Sequence, residues 1–142
     1  MWKPATLTLI AIALLLRPDI GAAQTTTPAG PGATVRIPVA VLANGKPLPA
    51  GTYEVRVTNE RAAALAGQSP DARRWVEFVA RGTVAGREAA EVLRDDDRPA
   101  IGASSEPAKD VTRVALLKGG EFLRVTLHDG AVEYLVYLPV AR

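Results

Sequence analysis

Residues 111–138 read VTRVALLKGGEFLRVTLHDGAVEYLVYL. Apolar and polar side chains alternate along this stretch, and turns interrupt it at Gly119-Gly120 and Asp129-Gly130. Period-two alternation broken by such turns is the pattern of a three-stranded antiparallel meander. Two-residue loops at both turns set Leu116 opposite Leu123 and Val114 opposite Val125. On the second hairpin they set Leu127 opposite Val132, Val125 opposite Tyr134 and Leu123 opposite Val136. Both hairpins then agree on one face, made of Val114, Leu116, Leu123, Val125, Leu127, Val132, Tyr134 and Val136. A slip of one residue scatters that set, so it is the expected core side. The other face carries Leu117, Phe122, Leu135 and Tyr137 toward one end, and Arg113, Arg124, Thr126 and Glu133 toward the other. Its apolar members cluster, with Leu117 opposite Phe122 and Phe122 opposite Tyr137. Either the connection Glu60 to Arg73 covers them, or they form an exposed patch for a partner.

The same patterning extends upstream. Val35 to Leu42 is a first strand with Val35, Ile37, Val39 and Val41 on one face. Pro38 donates no ladder hydrogen bond, which points to an edge or a bulge. Asn44-Gly45 marks a tight turn, and Leu48-Pro49-Ala50-Gly51 a second. Thr52 to Thr58 alternates cleanly, with Tyr53, Val55 and Val57 facing one way. Glu60 to Arg73 reads as a surface connection with at most a short helix. Arg74 to Ala80 is a strand, turning at Arg81-Gly82 into Thr83 to Leu93. The half Arg87 to Leu93 has helix-favouring Glu and Ala, while the punctuation at Gly86 suits a bulged strand. Arg94 to Asp110 is a long polar connection.

The N-terminus bounds the compartment. One early lysine, Lys3, precedes an uncharged apolar run from Ala5 to Leu16, and small residues follow at Gly21-Ala22-Ala23. That is the layout of a secretory signal peptide, and the run is short of the roughly 20 residues a spanning helix needs. The expected division is a signal peptide at 1–23, a flexible Thr/Pro/Gly-rich linker at 24–33 and a β domain at 34–142. The expected location is periplasmic or secreted, with no membrane span after signal cleavage. Without Lys3, Arg17 and Asp19, the 17 basic and 15 acidic residues fall to 15 and 14. The charges are interspersed, which excludes the basic stripe of a nucleic-acid binder. The chain has no cysteine, so thiolate zinc sites and cysteine nucleophiles are excluded.

Chemistry-bearing residues are sparse. His128, the one histidine, sits beside the Asp129-Gly130 turn, a surface position with no partner set for general-base work. Asp95-Asp96-Asp97 lacks the alternate spacing of a calcium loop. Glu77 with Glu88 or Glu91 supplies the only glycosidase-type carboxylate pair to be considered, and Ser104-Ser105 lacks the nucleophile elbow. No catalytic, cofactor-binding or metal-ligating set is expected, and no cofactor. Trp75 and Tyr137 are the aromatics that fall on an outer face; Tyr53, Phe78 and Tyr134 are expected in packing.

Two resemblances bear on this reading. Leu48-Pro49-Ala50-Gly51-Thr52-Tyr53-Glu54-Val55 resembles the L-P-x-G-x-Y-x-V hairpin of prealbumin-like and collagen-adhesin B-type β-sandwich modules. That likeness implies a Lys–Asn isopeptide crosslink, for which the last strand, Ala131 to Leu138, has no Asn or Asp to offer. The segments Asn44 to Tyr53, Arg74 to Phe78, Gly86 to Glu88, Leu117 to Val125 and Tyr134 to Pro139 resemble an uncharacterised family of small exported bacterial β-domain proteins. This second likeness implies export and a β domain and no activity.

The expectation is an all-β fold: a single antiparallel β-sandwich or flattened barrel of about seven strands, ending in the three-stranded meander. The expected function is an exported non-enzymatic binding or interaction module of the cell envelope. Its interaction surface is Trp75, Leu117, Phe122, Leu135 and Tyr137, and its partner a protein or a carbohydrate, not a nucleic acid. The alternatives are an envelope-sugar hydrolase using paired glutamates and a structural subunit of an envelope assembly.

Overall fold

Alternation and turn chemistry together produce nine strands among the described residues. A computed structural model describes residues 32–94 and 112–142 of the chain. The expected signal peptide, the linker up to residue 31 and the acidic run Asp95-Asp96-Asp97 lie outside the described residues, as does Ser104-Ser105. The strands are β1 (Ala33–Ile37), β2 (Val41–Ala43), β3 (Lys46–Leu48), β4 (Gly51–Arg61), β5 (Arg73–Ala80), β6 (Thr83–Arg94), β7 (Arg113–Leu116), β8 (Phe122–Asp129) and β9 (Val132–Pro139). Seven of them form one antiparallel sheet in the order β1-β4-β5-β6-β9-β8-β7, nearly closed into a barrel, and β2 pairs with β3 apart from it. Six antiparallel steps leave β1 and β7 running the same way at the seam. There they approach within 8 Å without a shared ladder.

The expected first strand is split in two. Pro38 interrupts it, and β1 lies at the sheet edge, where a missing N–H costs nothing to a neighbour. Past Pro38, β2 turns at Asn44-Gly45, whose φ angles of 49° and 75° are those of a type I′ turn. Arg81-Gly82, at 51° and 77°, makes the same turn between β5 and β6. No helix occurs among the described residues, and Arg87 to Leu93 is strand throughout. Two bulges bend the sheet. On β6, Val79 faces Val84 while Phe78 faces Gly86, so Ala85 is the extra residue. On β4 the register shifts between Val57 and Arg61. Thr58, on the expected solvated face, is instead buried. Its hydroxyl donates to the Trp75 carbonyl at 2.9 Å and accepts from the Glu60 N–H at 3.3 Å.

In the meander, the first hairpin has the expected pairing, Val114 with Val125 and Leu116 with Leu123. Its loop is wider than two residues: the Leu117 N–H donates to the Phe122 carbonyl at 2.9 Å, and the Gly120 N–H to the Leu117 carbonyl at 2.9 Å. The second hairpin is shifted by two. Asp129 pairs with Val132, Leu127 with Tyr134, Val125 with Val136 and Leu123 with Leu138. The loop is Gly130-Ala131, with positive φ at Gly130 (59°) and not at its neighbours. A loop at Asp129-Gly130 would force aspartate into the left-handed region, whereas Gly-Ala needs it only of glycine. A shift of two keeps every side chain on its expected face. It also moves Leu138 into the core, fully buried, and leaves Val132 half-buried.

The core lines the inner face of the sheet. Val35, Ile37, Val55, Phe78, Ala90, Leu123, Val125, Val136 and Leu138 are buried there. Tyr53 meets Phe78 edge-on at 6.3 Å, and its hydroxyl donates to the Pro49 carbonyl at 2.7 Å. The β2–β3 hairpin packs into this face with Val41, Ala43 and Leu48 buried. Gly86 makes the room: a Cβ there would sit 3.1 Å from the Ala43 Cβ and 3.3 Å from a Leu48 methyl.

Candidate functional site

The outer face of β7–β8–β9 carries the four apolar residues singled out in the sequence. Phe122 is 42% exposed, while Leu117, Leu135 and Tyr137 are half-buried. The two-residue shift puts Phe122 opposite Pro139 and Tyr137 opposite Arg124, so Phe122 and Tyr137 meet on the diagonal instead of face to face. Leu135 lies between Thr126 of β8 and Glu91 of β6. Leu116 was expected inside and is 53% exposed. It is the last residue of a four-residue edge strand, so no neighbour beyond it closes over the side chain. Its position beside a turn at the end of an edge strand was the signal available.

Trp75 occupies the outer face of β5, across from Ala89 of β6. Its ring is not bare. The Arg87 guanidinium lies 4.2 Å from the ring centroid, and its Nη2 pairs with the Glu60 Oε2 at 2.8 Å. Beside it, Glu77 is buried in register between Arg56 of β4 and Arg87 of β6. Arg56 holds Glu54 through two hydrogen bonds at 2.8 and 3.0 Å. That hydrogen bonding holds the Glu54 carboxyl below its ordinary value and raises the guanidinium of Arg56 above its own. Acid and base alternate across three strands, an arrangement that satisfies charge on the sheet surface and leaves Trp75 shielded. Arg87→Ala is expected to uncover the indole and cost about 1 kcal/mol. Red-shifted Trp75 emission with a slightly lower unfolding midpoint is the expected observation; unchanged emission contradicts the contact.

The carboxylates considered for glycoside hydrolysis do not converge. Glu77 and Glu91 share the outer face, four β6 positions apart in register, since Arg87 faces Glu77. Four residues of strand span roughly 13 Å, beyond the ~5–10 Å such chemistry uses. Glu88 is on the opposite face, where Oε2 accepts the Asn44 N–H at 2.6 Å and Oε1 accepts the Ala89 N–H at 2.9 Å. It caps the β2–β3 turn. His128 stands one residue before the end of β8, opposite Glu133. Burial pushes the Tyr134 phenol above its ordinary value, with Asp129 adding to the rise and Arg74 and Arg94 opposing it. A groove of about 220 Å³ runs between Asn44 and Lys46 of the hairpin and Ala85 and Arg87 of the β6 bulge. Among the described residues no three His, Asp or Glu side chains gather as a metal site, and no helix is long and apolar enough to cross a membrane. No family model, curated protein or solved structure matches the chain.

Proposed function

We propose that the chain is an exported, non-enzymatic binding module of the cell envelope, acting through the outer face of its C-terminal meander. The observation that supports this most is the exposure of Phe122 beside half-buried Leu117, Leu135 and Tyr137 on that face. An apolar group of that kind on an otherwise charged sheet surface marks an interaction site. Trp75 contributes less, since Arg87 already occupies its face. The scattered glutamates weigh against the hydrolase alternative.

A photo-crosslinking residue at position 122, introduced in cells, is expected to give specific adducts. The same residue at position 65 serves as control, because Leu65 is 55% exposed but lies far along the chain from the meander. Phe122→Asp is expected to alter unfolding by no more than about 0.5 kcal/mol, as for an ordinary surface change, and to remove adducts formed from position 137. Equal labelling at 65 and 122, or none at 122, refutes the reading.

A further inference from the structure

Three segments far apart in sequence are fastened together at one end of the barrel. The Val140 N–H donates to the Glu121 carbonyl at 2.8 Å, and the Ala141 N–H to the Ala40 carbonyl at 2.9 Å. Val41 bridges to Val140, and Phe122 pairs with Pro139. The residues so gathered are apolar. Leu116 and Phe122 are exposed, Val39, Leu117 and Val140 are half-buried, and Pro38 and Ala40 stand out beside them. The sequence did not show this convergence, because it depends on where the β2–β3 hairpin and the chain after β9 meet.

Among the described residues, the unpaired charge at this end is positive. Its acidic side chain, Glu121, is neutralised by Arg142 at 2.7 Å. Lys118, at the tip of the β7–β8 turn, and Arg36, on β1 near Ile37, are exposed and make no ion pair among the described residues. Arg124 stands on β8 two residues from Phe122. A small apolar tip ringed by cations is complementary to an anionic lipid surface, where aromatic and aliphatic side chains enter the headgroup boundary and Lys and Arg meet phosphate. A stable protein interface engages about 20–30 residues on each side, many more than this tip presents.

Building on the binding-module reading, we infer that this end of the barrel docks on the surface of an anionic phospholipid bilayer. Leu116, Leu117 and Phe122 enter the interface, and Lys118, Arg36 and Arg124 contact headgroup phosphates. The strands stay outside the hydrocarbon, so the docking is peripheral and reversible.

The test is co-sedimentation of protein purified from the exported fraction with vesicles of phosphatidylglycerol and phosphatidylcholine, against vesicles of phosphatidylcholine alone. Binding to the anionic vesicles at low salt and its loss in high salt are expected. Each basic charge near such a surface contributes about fivefold, so Lys118→Glu is expected to weaken binding by about 25-fold. The double variant Leu116→Ser/Phe122→Ser is expected to lose about tenfold or more, with an unchanged far-ultraviolet spectrum. No sedimentation with anionic vesicles, or binding indifferent to these substitutions, overturns the proposal. Protein adducts at position 122 together with no vesicle binding overturn the lipid assignment and leave the binding-module reading standing.

Discussion

Replacing Phe78 by alanine is expected to lower the unfolding free energy by about 3–5 kcal/mol. Phe78 is completely buried. It sits on β5 between Val55 of β4 and Gly86 of β6, and its ring takes the edge-on contact with Tyr53. Truncation removes the transfer contribution of the ring and that aromatic pair, the latter about 0.5–1.5 kcal/mol. It also opens a void that the neighbours refill poorly. Gly86 has no side chain to swing in, and Ala43 and Leu48 of the hairpin beyond it are already buried against that glycine. Domains of this size are stable by only about 5–15 kcal/mol. A fall of the melting temperature on the order of 20 °C follows, read by circular dichroism. The chain's other phenylalanine supplies the control: Phe122→Ala, on the outer face, is expected to shift the midpoint by a few degrees at most. Similar shifts for the two would mean that the inner face of the sheet is not the core.

Much of this architecture is written in local pattern. Strict alternation at Tyr53, Val55 and Val57, and at Leu123, Val125 and Leu127, identifies the buried face, because a strand presents alternate side chains to alternate sides. Asn44-Gly45 and Arg81-Gly82 name their own turns, since glycine takes the positive φ each requires. The second hairpin of the meander escaped that logic. Asp-Gly and Gly-Ala are adjacent candidates that both fit a two-residue loop, and the resulting two-residue offset leaves the hydrophobic pattern unchanged. Pattern therefore specifies faces there but not partners. Leu116 escaped it for a different reason: facing inward is a local property, whereas being covered depends on the seam between β1 and β7. The candidate surface was legible in part. Leu117, Phe122, Leu135 and Tyr137 follow from alternation alone. Their joining to Val39 and Val140 is tertiary and needed the contacts of Ala40 and Val140 to be seen.

Those same contacts make Leu48→Ala the second large perturbation, and one that reaches the proposed docking end from a distance. A two-stranded hairpin is marginal by itself in water, so β2–β3 depends on its anchorage to the barrel. Leu48 is completely buried, faces Val41 across the hairpin, and reaches the space left by Gly86. Removing its side chain is expected to cost about 2–5 kcal/mol. Buried Val41 and Ala43 stay in place, and the polar anchors are the Asn44 N–H on Glu88 at 2.6 Å and the Ala40 and Val41 links to the chain after β9. These polar anchors are exposed or near the rim, where water competes for the hydrogen bonds. The loss is therefore expected to appear first as local opening. Amide exchange at Val41, Ala43, Val140 and Ala141 accelerates more than at Val55 and Val125, and the melting temperature falls as well. Opening there frees Ala40 from Ala141 and loosens the three-segment junction that holds Phe122 beside Val140. Vesicle binding is then expected to weaken, although Leu48 itself touches no solvent. Uniform acceleration across all of these amides would show that hairpin and barrel unfold as one body. Leu48→Ala would then affect the docking end only through global stability.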